Sequence, residues 1–259
     1  MPSPPLVVFT DLCGTLLDHE DYSHDAAEPA LARLRAAGVP VILVSSRTAA
    51  EIAPLRADLG LADHPAIIEN GAGLLEPGAA APEDRGRYDE LRAALGRLPA
   101  SLRAGFHGFG DWDLPMIARR SNLPMAEAEL AAKRRFSEPG LWRGSDAQKA
   151  AFLDALAAMG VQAREGGRFL KLSFGGTRAS RMAEVAARYG TPFTVALGDA
   201  PDDADMLEAA DLGLVIANPH RPPLPPLAGE AEGRILRIDA PGPLGWTIAM
   251  THVLDARGL

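Results

Sequence analysis

Cysteine is almost absent from this 259-residue chain. With a single thiol, Cys13, no intrachain disulfide forms, which excludes a fold stapled by disulfides and suits a reducing compartment. Long apolar runs are lacking too. The longest stop well short of the roughly 18 residues a membrane helix needs. The first residues, MPSPPLVVFT, carry neither the basic start nor the apolar core of a signal peptide. Positive charge is also in deficit, with 26 basic against 34 acidic residues and a net charge of -8. Nucleic-acid binding surfaces look basic, so no nucleic acid is expected as a partner. An anionic small molecule stays open, because a local cluster of basic groups acts even inside an acidic protein. The expectation is a cytoplasmic, soluble protein with no membrane partner.

Against these absences, 47% of the residues are hydrophobic and 23% are charged, proportions that suit a globular chain and not a disordered one. The length suits one large domain or two modest ones of roughly 100–200 residues. Leu6-Val7-Val8-Phe9 is a short, β-branched apolar run, as expected of a strand buried on both faces. A helical pattern through Ala30, Leu31, Leu34 and Ala37 stops at Gly38. A second buried strand follows over 39–44, then a helix over 48–59, then Ala66-Ile67-Ile68. Such alternation predicts a doubly wound α/β domain with a parallel sheet.

Residues 77–87, PGAAAPEDRGR, are rich in breakers and suit a linker. Beyond them, helical patterns over 125–136 and 147–159 mix with a strand over 169–172. Regular alternation returns over 178–189, 193–197 and 212–216. We read a core from residues 1–80 and 175–259, with an α/β cap inserted at 81–174. The cluster PHRPPLPP at 219–226 reads as a surface loop.

Open α/β sheets bind ligands beyond the carboxyl ends of their strands. Three such ends carry polar groups: Asp11-Leu12-Cys13-Gly14-Thr15, Ser45-Ser46-Arg47, and Gly198-Asp199-Ala200-Pro201-Asp202-Asp203. Singly, each has an ordinary explanation. An aspartate after a strand is by default a turn former or helix cap, and an acidic run suits a helix start. In combination, carboxylates from separate strand ends suit Mg²⁺, which prefers oxygen ligands, and a metal beside carboxylates and donors suits phosphoryl transfer.

These residues resemble the haloacid dehalogenase superfamily. FTDLCGTLLD resembles its first motif, LVSSR its second, and LGDAPDDADML its fourth. IIENGAGLLEP, GFHGFGDWD, RRFSEP at 134–139 and APGPLGWTIAM are similar to one branch, the mannosyl-3-phosphoglycerate phosphatase family. The resemblance implies an Mg²⁺-dependent phosphatase acting on a small phosphorylated glycoside and yielding mannosylglycerate, a compatible solute. Another sugar phosphate, such as glucosyl-3-phosphoglycerate or sucrose phosphate, is the alternative substrate.

Carried over residue by residue, the resemblance makes Asp11 the nucleophile and a metal ligand. Ser45 bonds the phosphoryl group, and Asp199 and Asp203 hold the metal directly or through water. Arg178 stands where the family has a lysine, with Lys171 as the alternative. Ser46, Arg47, Glu69 and Asn70 fall on the substrate side, and Arg134 with Ser137 meets the glycerate. The departure is Cys13, where the family has an aspartate that serves as general acid and then general base. The backbone carbonyl at position 13, which the family offers to Mg²⁺, survives the change. A thiol with an ordinary pKa of about 8.5 stays largely protonated at neutral pH and makes a poor base. A non-catalytic ligand-binding protein is therefore a third reading, whether Cys13 is an introduced change or a natural divergence.

Overall fold

The computed structural model describes residues 6–81 and 84–259. The first five residues, and Pro82 and Glu83 within the expected linker, lie outside the described residues. The first elements are β1 (Leu6–Thr10), α1 (Glu28–Ala36), β2 (Val41–Val44), α2 (Ala49–Asp58), β3 (Ala66–Ile68) and β4 (Gly73–Leu75). Then come α3 (Gly86–Gly96), α4 (Ala100–Arg103), β5 (Phe106–Gly108), α5 (Leu114–Ser121), α6 (Met125–Ala131), β6 (Ser137–Trp142) and α7 (Asp146–Ala157). The chain continues through β7 (Gln162–Gly166), β8 (Phe169–Ser173), α8 (Arg178–Arg188) and β9 (Phe193–Gly198). It ends with α9 (Ala204–Ala209), β10 (Leu212–Ala217), β11 (Ile235–Pro241) and α10 (Leu244–Arg257).

These elements pack into two compact units. The first takes the chain through Ser45, then Asp63–Ile67 and Thr177–Leu259; the second takes Ser46–Ala62 and Ile68–Gly176. The division differs from boundaries at 80 and 175, since residues 46–62 and 68–80 group with the second unit. Contacts within that unit account for this. Thr48 Oγ donates to the Leu130 carbonyl (3.0 Å), and Glu69 accepts from the backbone of residues 135–137.

The first unit is a parallel α/β fold with strand order β11–β10–β9–β1–β2–β3. Every residue of β1 and β2 is buried, as their unbroken apolar runs require of strands covered on both faces. Thr10 lies opposite Leu43 on one side and Leu197 on the other, so the ends of β1, β2 and β9 are level. That register puts Asp11, Ser45 and Asp199 at one edge of the sheet. Helix α8 buries Met182, Val185 and Ala186 and leaves Arg181, Glu184 and Arg188 outside, an amphipathic pattern of helical period. Its first turn is capped by Thr177, whose hydroxyl accepts from the Ser180 amide.

The second unit has an antiparallel sheet of order β5–β6–β8–β7. Strand β8 alternates its faces. Leu170 and Leu172 join a core with Leu91, Leu95, Phe106, Phe152 and Leu156, whereas Phe169 packs against a cluster built from Phe109, Ile117, Ala118 and Ala128.

The helix expected over 125–136 ends at Ala131. The amides of Arg135, Phe136 and Ser137 are taken up by Glu69, so that segment is a loop. The loop at 219–226 is observed as a loop. Among the described residues, no helix is long and apolar enough to cross a membrane.

Helix α10 is fixed to the sheet by Trp246, fully buried, whose Nε1 donates to Thr10 Oγ at 3.0 Å. The Thr10 hydroxyl in turn donates to the Asp11 carbonyl at 2.8 Å. Trp246→Phe removes the donor while keeping an aromatic ring, and is expected to lower stability by about 1–3 kcal/mol in urea unfolding.

Candidate active site

The site grows out of three level strand ends in the first unit. After β1 the chain turns tightly: Thr15 N and Leu17 N both donate to the Leu12 carbonyl, and Gly14 N donates to the Leu17 carbonyl. Gly14 has φ +86°, and a Cβ there would lie 2.4 Å from the Asn218 amide and 3.1 Å from Asp199 Oδ2. Only glycine lets this turn approach Asp199 so closely. After β9, Gly198 plays a similar part, since a Cβ there would strike the Asp203 side chain at 2.5 Å.

The turns bring Asp11, Asp199 and Asp203 together, with one carboxylate oxygen from each lying within 4.8 Å of the others. Arg178 is buried among them, at the start of α8. Its Nη1 donates to Asp11 Oδ1 at 2.8 Å and also to Asp203 Oδ1. The other Asp203 oxygen accepts from the amides of Asp199 and Ala200 at 3.0 and 2.9 Å. Asp199 accepts from Thr15 Oγ at 2.8 Å and from Asn218 Nδ2 at 2.7 Å, and Arg221 Nε stands 3.3 Å from the same carboxylate.

Burial pushes the Asp11 carboxyl above its ordinary pKa; Arg178 opposes this and Asp199 adds to it. Burial, together with Asp11, pushes Asp203 well above the ordinary value against the pull of Arg178. Burial works against the Arg178 charge, but Asp203 and Asp11 outweigh it and hold the guanidinium above its usual range. Three carboxylates here meet two arginines, Arg178 on Asp11 and Asp203 and the part-exposed Arg221 beside Asp199. Carboxylate oxygens brought together in this way fit a hard divalent cation such as Mg²⁺. Asp11, Asp199 and Asp203 are the groups that would hold it; the Cys13 thiol is not in that cluster.

Of the other expected residues, Ser45 is buried at the end of β2, with its amide bonded to the Ile67 carbonyl. Cys13 is half-buried in the turn after β1. Arg178, and not a strand residue, is the cation that reaches Asp11 and Asp203; Lys171 lies on β8 in the second unit. Ser46, Arg47, Glu69, Asn70, Arg134 and Ser137 all belong to the second unit, where most of them form a cluster of their own. Glu69 and Asn70 both adopt left-handed backbone, with φ of 51° and 59°. The buried Glu69 carboxylate accepts from the amides of Arg135, Phe136 and Ser137 and from Ser137 Oγ at 2.7 Å. Arg134 is only 5% exposed. It donates to Ser137 Oγ and the Ser46 carbonyl, with Nε 3.3 Å from Glu69.

Sequence reasoning passed over Thr15, Asn218 and Arg221, the three donors on Asp199. Thr15 and Asn218 carry a usable signal: each lies just beyond a strand that ends at the same edge. Arg221 sits in the proline-rich loop, which has no periodicity to place it. Beside Asp199 a hollow of about 470 Å³ opens, walled by Asn218, Arg221, Leu224, Ile238 and Pro241.

Residues 8–79 match the model of the haloacid dehalogenase-like hydrolases. Solved structures share the fold over nearly the whole chain. A phosphatase of the haloalkanoate enzyme superfamily from Bacteroides thetaiotaomicron superposes with a TM-score of 0.61 at 18% identity, covering 95% of this chain and 94% of that one. A haloacid dehalogenase-like hydrolase from B. subtilis gives 0.64 at 16%, covering 96% and 99%. A subclass IIB sugar phosphatase of the same superfamily gives 0.61 at 16%, covering 95% and 98%. The chain thus has the haloacid dehalogenase-like fold, and its residues 8–79 carry the sequence pattern of those hydrolases.

The raised Asp203 carboxyl gives this site a pH signature. Its folded pKa lies above the unfolded value of 3.8, so folding takes up a proton in the window above 3.8. Its contribution to stability is fully present below that value and is lost as pH rises through the folded pKa. Metal-free wild type is expected to lose stability relative to Asp203→Asn as pH rises from about 4 towards neutrality, measured by urea unfolding at each pH.

Proposed function

We propose that this chain is an Mg²⁺-dependent phosphatase of small phosphorylated glycosides that hydrolyses mannosyl-3-phosphoglycerate to mannosylglycerate and phosphate. The observation that carries the reading is Asp11, a buried carboxylate at the end of β1, ion-paired to Arg178 and grouped with Asp199 and Asp203. The substrate assignment rests on the motifs IIENGAGLLEP and RRFSEP, which meet through Glu69 and residues 134–137. The sugar phosphatase among the structural neighbours supports the substrate class.

In this reading an Asp11 oxygen attacks phosphorus. The new O–P bond forms as the ester P–O bond breaks, leaving an aspartyl-phosphate and an alkoxide that takes a proton. Arg178 and Ser45 steady the phosphoryl oxygens, and Cys13 is the proton donor. Water then attacks phosphorus as the bond from phosphorus to the Asp11 oxygen breaks, and its proton returns to the Cys13 thiolate left by the first step. Mg²⁺, when bound, supplies positive charge against the phosphoryl oxygens. The second half-reaction suffers most where Cys13 has kept or regained its proton, as with a nitrophenolate leaving group that takes none, because a protonated thiol accepts no proton. Cys13 is also the observation that favours the second reading, a protein that binds the phosphorylated glycoside without turning it over.

Phosphate release with Mg²⁺ from mannosyl-3-phosphoglycerate, glucosyl-3-phosphoglycerate and sucrose phosphate separates these readings. Preference for the first supports the proposal, preference for another moves the substrate, and silence on all three favours binding alone. Cys13→Asp is expected to raise steady-state turnover by about 10²–10⁴. With a nitrophenyl phosphate the wild type is expected to show a burst and then slow release. An unchanged rate in Cys13→Asp removes position 13 from the acid–base role.

Metal binding is checked separately by calorimetry. Asp199→Asn is expected to weaken Mg²⁺ binding. Arg221→Ala, which removes a cation 3.3 Å from Asp199, is expected to tighten it.

A further inference from the structure

The second unit holds a hollow of about 660 Å³ lined by Arg119, Arg120, Asn122, Leu141 and Arg168. Three guanidinium groups on one concave surface are unusual in a chain whose net charge is -8. None of the three forms an ion pair with an acidic side chain among the described residues, and no carboxylate lines the hollow. Most of the other arginines near acidic groups are paired, as Arg92 and Arg103 are with Asp111 in the same unit.

Part of this arrangement has an ordinary cause. Arg119 and Arg120 occupy the last turn of α5, where cations complement the helix dipole, and Arg168 Nη1 donates to the Arg120 carbonyl at 2.8 Å. That accounts for two cations near the helix end but not for the rest of the cluster. Arg168 comes from a separate element, the turn between β7 and β8, and uses one nitrogen on the carbonyl. Arg119 touches only the Met116 sulfur. The Nε of Arg120 is shielded from solvent with no hydrogen-bond partner. Donors are thus in surplus on all three side chains, with Arg119 and Arg168 exposed and Arg120 partly buried, and the space they line has the size of a small-molecule site. The planar donor fork of arginine matches the oxygen spacing of phosphate and carboxylate groups.

We propose that this hollow binds a small, multiply charged oxyanion, a phosphate ester or polycarboxylate, gripped by Arg119, Arg120 and Arg168 and flanked by the Asn122 amide. The site is independent of the Asp11 cluster and of the proposed phosphatase activity. Its residues take no part in the Glu69–Arg134–Ser137 network.

The test is calorimetry on the full chain, stripped of metal on a chelating resin, at low ionic strength. The probes are inorganic pyrophosphate and citrate. Wild type is expected to bind at least one of them, and which one separates phosphate from carboxylate recognition. Arg119→Ala and Arg168→Ala are each expected to weaken binding by about tenfold or more. Arg119→Ala leaves the Arg168 bond to the Arg120 carbonyl in place, so a loss there is not a folding effect. Arg168→Lys, which keeps the charge but not the fork, should fall between wild type and Arg168→Ala. Ser45→Ala should leave binding as it is. No binding of either probe overturns the proposal and leaves three solvated arginines. Binding that survives both alanine variants but is lost in Ser45→Ala also overturns it, because the anion then occupies the first unit's strand edge.

Discussion

A buried guanidinium is the constraint on which the first unit's site depends. Level strand ends put Asp11, Asp199 and Asp203 into a space with little water, where like charges repel strongly. Without a cation among them the carboxylates would have to hold protons or move apart. Arg178 supplies the fixed charge and bonds two of the three at once. It is placed there by α8, whose start is set by the Thr177 cap and whose apolar face is set by Met182, Val185 and Ala186. Removing one partner from such a set leaves a buried charge uncompensated, which costs more than the pair contributes to stability. Burial in the same geometry holds the Asp11 and Asp203 carboxyls above their ordinary pKa despite Arg178.

Asp199 is balanced differently. It touches Thr15, Asn218 and Arg221, which come from the turn after β1 and from the chain after β10. The carboxylate thus ties the proline-rich loop to the strand edge. His220 on that loop stacks on His19, with ring centroids 4.4 Å apart, and adds a second attachment to the segment after β1. A cation held at Asp199 would share that carboxylate with Arg221, so the loop's position would be coupled to the ion.

The core was legible in the sequence because its signals are local. The strands at Leu6–Thr10, Val41–Val44 and Ala66–Ile68 announce themselves as short apolar runs, and Asp11, Ser45 and Asp199 stand directly after strands. Arg178 was indicated only by the resemblance, in the place of the family's lysine and with Lys171 as the alternative. What was not legible depends on pairing across long stretches of chain. The helix expected to reach Phe136 ends at Ala131, and Glu69, more than 60 residues earlier, takes up the amides of residues 135–137. Helical periodicity through Lys133 and Arg134 carries no trace of that competitor. The division of the chain shifted for the same reason: composition marked the breaker-rich stretch at 77–87, whereas contacts group α2 and Glu69 with the later residues. Arg221 lies in a loop without period, so only the structure brings it to Asp199.

Cys13 can be weighed against the same charge balance. An aspartate at position 13 would add a carboxylate to the turn that follows Asp11, which already groups with Asp199 and Asp203. In the metal-free state that charge adds repulsion, and the neutral thiol avoids it. With a divalent ion in place the balance reverses, because the ion offsets carboxylates that Arg178 alone does not. In the proposed reaction an aspartate at position 13 would add acid–base capacity, whereas a thiol spares the edge that charge, a conflict between activity and stability. The thiol keeps the turn intact, since Gly14, Thr15 and Leu17 make its hydrogen bonds through their backbones. A thiol at position 13 therefore leaves in place the backbone scaffold that positions Asp11.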